Sequence, residues 1–345
     1  MMVRALLVPR TRGESARRAL ISAGLLRPNV PILREGEFLA IPMLDGAAPP
    51  TDLGFVVERE IPVRPDRPPT DYRELVHLPP AEATLLPRSF DVVGDIVLVR
   101  VPPELEGSAR EIGRALLDFV PGARLVGADH GVHGAERRRS LEVLAGSGSW
   151  RTRHRENGLS IEVDLELAYF SPRLAREHAR VADEVGRGER VYDLCCGVGP
   201  FSLTVASQGR ASRVTAVDSN PRGLELLRAS IARLRATVPV EVIATSVEEF
   251  SPSANPVERV ILNLPLEGIK YLPSVARTVT PGGHLHYYEV VPRSELDRRG
   301  EAVVRALGSP VEWRVQRRHI VHPYSPVADL VGFDLEHLSA SGGAV

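Results

Sequence analysis

Cysteine is almost absent from this chain of 345 residues. Its two cysteines, Cys195 and Cys196, are adjacent, so they cannot join distant segments through a disulfide and do not have the spacing of zinc ligands. This scarcity excludes a disulfide framework and a cysteine-based metal site. We expect a reducing, cytoplasmic setting without a bound metal, and two small side chains packed beneath a turn.

Long apolar runs are also missing. No stretch approaches the roughly 20 residues that cross a bilayer, and the N-terminus lacks the apolar segment of a signal peptide. The chain is 43% hydrophobic and 25% charged, the balance of an ordinary globular protein. Its length exceeds that of one typical domain. We therefore expect a monomer of two or three domains with no membrane partner.

Lysine is the third scarcity. Lys270 is the only lysine and the formal net charge is −1, so no global positive field indicates nucleic acid. The other basic side chains are arginines, whose planar fork binds phosphates and stacks on bases. They form three local clusters, Arg10/Arg12/Arg17/Arg18, Arg137/Arg138/Arg139 and Arg151/Arg153/Arg155. The clusters favour an RNA partner; a solvated surface is the alternative.

The segment Val191–Leu203 carries the most informative pattern that is present. A short apolar run that includes Asp193 is followed by Gly197 and Gly199, and a helical pattern begins at Pro200. This order predicts a buried strand, a tight turn and a helix with proline in its first turn. Glycine lets the backbone approach a ligand closely, and the helix N-terminus offers N–H groups to it.

Two later strand ends complete the expected site. Asp218 ends a second apolar strand, where an acid suits the hydroxyl pair of a ribose. The dinucleotide fingerprint G-x-G-x-x-G lacks its third glycine here, and D-x-x-x-G-x-G-P resembles instead the S-adenosylmethionine pocket of class I methyltransferases. Asn263 and Pro265 end a further strand, so we expect Asn263 beside the glycine turn. Ordinary turns at both places are the alternative.

Strands alternate with helices through the C-terminal half, which predicts an α/β protein with a doubly wound, mostly parallel sheet. Two small α/β (α+β) domains precede it. Four prolines between Pro62 and Thr70 indicate a semi-rigid linker. The predicted boundaries are 1–62 for an N-terminal domain, 63–72 for the linker, 73–166 for a middle domain and 167–345 for the sheet domain.

Several short sequence blocks identify a protein family only when their order and spacing along the chain are taken together. They are Leu86–Asp95, Gly134–Arg137, Leu141–Gly146, His154–Gly158, Tyr169–Glu177, the glycine turn, Asn263–Pro265, Gly282–Tyr288 and Tyr324–Pro326. Together they resemble the tRNA guanine-N1 methyltransferases of archaea and eukaryotes, which modify position 37 beside the anticodon. The resemblance runs nearly end to end. It implies a Rossmann-like class I methyltransferase fold, S-adenosyl-L-methionine as cofactor and tRNA as substrate, with the first domain holding the outer corner of the tRNA.

The resemblance also implies roles for single residues. Glu177 takes the place of the general base that removes the N1 proton of guanine, and Arg137 that of an arginine stabilising the charge on O6. Asn263 and Pro265 match the catalytic N-x-P motif. Burial is expected to raise the pKa of Glu177; a surface ion pair with Arg173 is the alternative. Implied cofactor contacts are Arg173, Asp193, Gly197, Gly199, Phe201, Asp218, Asn220 and Asn263, and implied substrate contacts are Arg137, Tyr169 and Asn263.

The chain departs from the family pattern at three places. His178 follows Glu177 where the family commonly has arginine, and the cysteine pair replaces a phenylalanine-alanine pair. No acid stands directly after the third strand, where the family often has one to contact adenine, because the chain there reads Ala244–Val247. This leaves Ser246 or Glu248 as weaker substitutes. Two other functions stay open: transfer of the cofactor's 3-amino-3-carboxypropyl group to a tricyclic guanine at the same tRNA position, and RNA binding without catalysis.

Overall fold

The computed structural model describes residues 2–27, 30–44, 54–60, 69–133, 138–308 and 312–339. It divides into two compact units, Met1–Leu75 and Val76–Val345. The predicted linker 63–72 lies mostly outside the described residues, and the boundary at 166/167 stays a prediction. None of the described helices is both long and apolar enough to cross a membrane.

The first unit is an antiparallel sheet with a helix. Its elements are β1 (Met2–Pro9), α1 (Gly13–Ser22), β2 (Leu33–Glu35), β3 (Phe38–Pro42) and β4 (Phe55–Glu60). The strands lie in the order β2-β3-β1-β4. Helix α1 buries Ala16 and Leu20, four residues apart and so on one face, against Leu6 and Ile41 of the sheet. These contacts form a small separate core.

The second unit begins with a four-stranded sheet and a hairpin. The elements are α2 (Pro80–Ala83), β5 (Phe90–Val93), β6 (Ile96–Val99), α3 (Ala109–Phe119), β7 (Leu125–His133), β8 (Arg138–Gly146), β9 (Arg151–Glu156) and β10 (Leu159–Asp164). The sheet order is β5-β6-β7-β8, and β9 pairs with β10. One hydrophobic cluster joins Ile96 and Ile161 of this part with Leu203 and Leu224 of the following part.

A seven-stranded sheet forms the rest of the second unit. Its elements are α4 (Ala175–Glu184), β11 (Arg190–Leu194), α5 (Pro200–Gln208), β12 (Arg213–Asp218), α6 (Pro221–Ile231), β13 (Val240–Ala244), α7 (Val247–Phe250), β14 (Val257–Leu262), α8 (Leu272–Val275), β15 (Val279–Pro292), α9 (Leu296–Leu307), β16 (Trp313–Ser325) and β17 (Ala328–His337). The order is β13-β12-β11-β14-β15-β17-β16, and β17 is antiparallel to both neighbours. The predicted doubly wound, mostly parallel sheet is confirmed.

The strand order reverses between β11 and β14. The chain runs outward from β11 through β12 to β13 and then returns to β14 on the other side of β11. Loops that follow the two central strands therefore diverge and leave a crevice at the carboxyl edge of the sheet, where doubly wound folds bind ligands. The glycine turn follows β11, and Asn263 follows β14.

Candidate active site

The turn between β11 and α5 places two glycines at the crevice. Gly197 and Gly199 have φ angles of 57° and 75°, in the left-handed region that other residues disfavour. Among the described atoms, a Cβ on Gly197 would find only the Tyr169 carbonyl oxygen within 4 Å, whereas one on Gly199 would meet Leu227 Cδ1 at 2.3 Å. Gly197 leaves the ligand side open, and Gly199 lets α6 pack closely.

Asp193 supports this turn from inside the protein. Its Oδ2 accepts hydrogen bonds from the backbone N–H of Ser202 at 3.0 Å and from the Ser202 hydroxyl at 2.6 Å. The side chain is buried, and burial raises the pKa of its carboxyl to about 6. Asp193 was predicted to contact the cofactor; in the structure it holds the start of α5.

A cavity of about 260 Å³ lies at the crevice. Five of the predicted site residues line it: Tyr169, Gly197, Asp218, Asn220 and Asn263. The two adjacent cysteines line it as well, and burial raises the pKa of both thiols. Six predicted residues do not belong to the lining of this cavity in the described part of the chain: Arg173, Glu177, Asp193, Gly199, Phe201 and Pro265.

Backbone donors hold the carboxylate of Asp218 in the cavity wall. Oδ2 accepts a hydrogen bond from the N–H of Gly197 at 2.7 Å, and Oδ1 accepts one from the N–H of Asn220 at 2.8 Å. The Asn220 side chain accepts from two N–H groups in the first turn of α6, so it is a helix cap. The position of Asp218 is thus fixed from the turns after β11 and β12.

Asn263 faces the cavity from the opposite side of the crevice. Its Oδ1 is buried and has no hydrogen-bond partner among the described residues. Pro265 lies deeper: its carbonyl accepts a hydrogen bond from Val290 N–H at 2.9 Å, which ties the loop to β15. The N-x-P motif therefore combines one ligand-facing amide with one residue that fixes the loop.

The far end of the cavity lies beyond Asp218. Thr245, Ser246 and Val247 line it, and Ser246 caps α7 by accepting a hydrogen bond from Glu249 N–H at 3.2 Å. Of the two residues considered as adenine contacts, Ser246 is in the lining, and Glu248 is not.

Glu177 is held in a polar cluster on α4. Its Oε1 accepts hydrogen bonds from the Tyr288 hydroxyl at 2.7 Å, from Arg180 at 2.5 Å and from His319 Nε2 at 3.1 Å. Burial disfavours the charged carboxylate, but His319, Arg180 and Tyr288 outweigh it and hold the pKa of Glu177 well below its usual range. The expectation of a raised pKa was wrong, because it counted burial and not these donors.

The cluster continues away from the cavity. Arg180 bonds Asp334 at 2.9 Å, and Asp334 Oδ1 lies 2.6 Å from His286 Nδ1. The ligand atoms of Glu184, His286 and Asp334 lie within 4.8 Å of one another. However, His286 Nε2 is 2.6 Å from Arg259, so both imidazole nitrogens already have protein partners. The group is a polar network in which His286 and Asp334 are buried and Glu184 is exposed.

Arg137 lies outside the described residues, so its predicted role stays a prediction. Arg139, two positions later, is the arginine that the structure places beside Tyr169, with its guanidinium 5.0 Å from the ring centroid. It donates to the carbonyl of Phe170 at 2.9 Å and pairs with Asp129. The sequence contained only a weak signal for it, a run of three arginines.

Two predicted cofactor contacts have other neighbours. Arg173 bonds Asp91 at 2.8 Å and lines a second cavity that shares Tyr169 with the first. The alternative ion pair between Arg173 and Glu177 does not form among the contacts of the described side chains. Phe201 is buried, with its ring 4.5 Å from His178 and 5.6 Å from Tyr288, and so supports the site from behind.

Known proteins are similar to this chain along most of its length. Three protein-family models match it: the TRM5/TYW2 methyltransferase domain over residues 152–312, the TYW2 N-terminal domain over 72–149 and the tRNA methyltransferase 5 N-terminal domain over 5–50. The tRNA (guanine(37)-N(1))-methyltransferase Trm5b of Pyrococcus abyssi is 34% identical over 334 residues, 96% of this chain and 93% of that protein. The chain belongs to the TRM5/TYW2 methyltransferase family.

Two further relatives differ from each other in what they are named for. The solved complex of aTrm5 and tRNALeu has a TM-score of 0.76 and 29% identity, covering 96% of this chain and 99% of that one. The tRNA(Phe) (4-demethylwyosine(37)-C(7)) aminocarboxypropyltransferase of Pyrococcus horikoshii is 28% identical over 221 residues, 64% of this chain and 78% of that protein. The family inferred from the sequence blocks is confirmed, and its members include two kinds of group transfer.

Proposed function

We propose that this protein is a tRNA methyltransferase that transfers the methyl group of S-adenosyl-L-methionine to N1 of guanosine 37. The observation that carries the proposal is the cavity at the strand reversal, which unites Gly197, Asp218 and Asn263. The similarity to Trm5b over nearly the whole chain supports this choice of reaction.

The residues of the cavity fit this cofactor. The carboxylate of Asp218, held by two N–H groups, suits a ribose hydroxyl pair. Gly197 leaves room for close backbone approach, and the buried Oδ1 of Asn263 lacks a protein partner, as expected of an atom that binds a ligand. When bound, S-adenosyl-L-methionine supplies an electrophilic methyl group.

Methylation at N1 requires removal of the guanine N1 proton, and we assign that proton to Glu177. The carboxylate is ionised at neutral pH, because the cluster around it lowers its pKa. Its proton affinity rises if the substrate displaces one of its hydrogen-bond donors, and His319, the least buried of them, is the donor most open to displacement. Arg137 stabilises the charge on O6, Asn263 hydrogen-bonds the base edge, and Tyr169 contacts the base.

The proposed partner is folded tRNA, and the protein acts as a cytoplasmic monomer. Arg151 and Arg153 on β9, each about half exposed, and the arginines of the first unit offer contacts for phosphates. We propose that the first unit holds the outer corner of the tRNA, while the second unit holds the anticodon arm. No metal takes part in this scheme.

A second candidate is transfer of the 3-amino-3-carboxypropyl group, because one relative is named for that reaction. It requires no base for an N1 proton, so Glu177 favours methylation. The test uses unmodified tRNA with cofactor labelled either in the methyl group or in the amino-acid chain, followed by mapping of the modified nucleotide. Methyl label on N1 of guanosine 37 supports the proposal. Label from the amino-acid chain, or no transfer despite cofactor binding, would overturn it.

A further inference from the structure

A second cavity, of about 220 Å³, adjoins the first one in the second unit of the protein. Its lining includes Arg100 after β6, Arg139 on β8, Arg173 before α4 and Tyr324 on β16. Tyr169 and Ser171 line both cavities. A long ligand that extends past these two residues from one cavity therefore enters the other. The proposed reaction assigns no ligand to the second cavity.

Arg139 contributes a buried guanidinium group to the lining of the second cavity. Its side chain is 5% exposed and forms an ion pair with Asp129, and a second nitrogen donates to the carbonyl oxygen of Phe170 at 2.9 Å. The Nε of Arg139 is buried and has no hydrogen-bond partner among the described residues. A buried donor without a partner is costly unless a ligand supplies an acceptor. The second cavity therefore suits a ligand that carries acceptor atoms.

The charges that line the second cavity sum to an excess of one positive charge. Asp129 pairs with Arg139, and Asp91 pairs with Arg173 at 2.8 Å, so these four charges cancel. Arg100 is exposed, and its side chain has no ion pair or hydrogen bond within the described ranges. An arginine without a partner favours an anionic ligand, and its planar fork fits the oxygens of a phosphate.

The second cavity also offers an exposed aromatic ring. Tyr324 lies near the end of β16, where the hairpin turns toward β17, and is 40% exposed. Tyr169, in the lining that both cavities share, has the Arg139 guanidinium 5.0 Å from its ring centroid. Aromatic rings and arginine planes are the surfaces on which unpaired bases of single-stranded RNA stack. A ring for a base and an arginine for a phosphate together match one nucleotide.

We propose that the second cavity binds a nucleotide directly adjacent to guanosine 37, with its base stacked on Tyr324 and its phosphate at Arg100. This inference rests on the proposed function, because it assumes that the guanine base lies in the first cavity beside Tyr169. The RNA strand then passes Tyr169 and Ser171 and brings the next nucleotide into the second cavity. Arg139 donates to an acceptor atom of that nucleotide through Nε.

The test measures how tightly the full chain binds anticodon stem-loops, by fluorescence anisotropy. One RNA is intact, two lack the base at position 36 or at position 38, and a control RNA lacks a base elsewhere in the loop. We expect Tyr324→Ala to weaken binding of the intact RNA about tenfold, the usual effect of losing one base–aromatic stack. Removing the base that Tyr324 contacts should weaken the wild type to the same degree and the variant hardly further. The position that shows this coupling, 36 or 38, identifies the bound nucleotide.

Arg100→Ala tests the phosphate contact. Its affinity for the intact stem-loop should fall about fivefold or more at low salt, and the slope of log affinity against log salt should decrease by about one. Arg305→Ala is the matched control, because Arg305 is an exposed arginine of α9 and belongs to neither lining in the described structure. This control should leave both the affinity and the salt slope unchanged.

Losses that add up for Tyr324→Ala and both abasic RNAs would overturn the inference, as would unchanged affinities of Tyr324→Ala and Arg100→Ala. Calorimetry with S-adenosylhomocysteine shows whether the two cavities are independent. Both variants should bind this ligand like the wild type, and weaker binding would overturn the inference, because the change would then reach the cofactor. If the wild type does not methylate the intact stem-loop at guanosine 37, the proposed function itself fails. The wild-type assay therefore separates that failure from failure of the second cavity to bind RNA.

Discussion

Glu177 and His178 are consecutive residues of α4, yet they enter polar clusters of opposite character. Glu177 accepts hydrogen bonds from three side chains and does not line the cavity in the described structure. His178 uses one nitrogen for Glu156 and turns the other toward the cavity without a partner in the described part. The Glu177 carboxylate has protein donors, whereas Nε2 of His178 has no partner among the described residues.

This difference separates two kinds of buried polar group. A carboxylate that its neighbours satisfy stabilises the fold, and chemistry at that group requires the substrate to loosen the cluster. A polar atom without a partner carries a desolvation cost that a ligand can remove. Asp193 and Asn263 resemble His178 in this respect. The following experiments test where this division holds.

The largest effect is expected for Glu177→Gln. If Glu177 takes the N1 proton, methyl transfer slows by about a hundredfold or more, the usual contribution of a general base, while cofactor and tRNA affinities are kept. Single-turnover rates between pH 6 and 9 measure it. Glu184→Gln is the matched control, since Glu184 also bonds Arg180 from α4 at 2.7 Å. Near-normal rates combined with a lower melting temperature would show that Glu177 stabilises the fold and does not take the N1 proton.

Asp218→Ala tests whether a residue that lines the cavity binds the cofactor. Loss of a charged acceptor for the ribose costs roughly 1.5–3 kcal/mol, which is about a tenfold to hundredfold loss of cofactor affinity by calorimetry. Asp297→Ala, with a side chain that is 98% exposed on α9, should leave the affinity unchanged. If Asp218→Ala and the wild type bind the cofactor with equal affinity, the ribose does not bind at Asp218.

Asp193→Asn tests how a buried carboxyl group, one oxygen of which has no hydrogen-bond partner among the described residues, affects the free energy of unfolding. Burial raises its pKa to about 6, above its unfolded value, so the folded state binds more protons between these two pH values. Wild-type stability contributed by this group therefore falls as pH rises from about 4 to 6, by about 2 kcal/mol. In Asp193→Asn the amide oxygen still accepts the hydrogen bonds from Ser202, and the side chain does not titrate. Denaturant unfolding at both pH values should show a flatter profile for the variant, and parallel profiles would contradict the raised pKa.

Removal of Met1–Leu75 should have the smallest effect on the site. The rest of the chain contains the whole cavity, so cofactor affinity is retained. Binding of whole tRNA should weaken about tenfold and fall less steeply with salt, because the arginines at 10, 12, 17 and 18 are lost. An isolated anticodon stem-loop should be methylated equally by both forms. Identical salt slopes on whole tRNA would exclude the first unit from recognition.

Local pattern predicted the parts of the site that lie on strand ends. The apolar run, the glycines and Pro200 encode the turn after β11, and Asp218 and Asn263 follow apolar strands whose carboxyl ends must meet at one edge of a parallel sheet. Gly197, Asp218 and Asn263 do line one cavity. Phe201 and Gly199 share the segment but do not line this cavity in the described structure; they pack against His178 and Leu227. Sequence spacing does not specify which side of a helix faces a ligand.

The sequence by itself determined the family, through the ordered blocks that resemble it. It also determined the doubly wound sheet and the carboxyl edge at which the cavity lies, because periodicity, glycine placement and strand-end residues are local properties of the chain. Only the tertiary structure decided the electrostatic state of the buried groups. Arg180, Tyr288 and His319 reach Glu177 from α4, β15 and β16 and lower its pKa, whereas Glu156 reaches His178 from β9 and leaves Nε2 for the cavity. A pKa or an unpartnered atom depends on which distant residues pack around it, and that arrangement exists only in the folded chain.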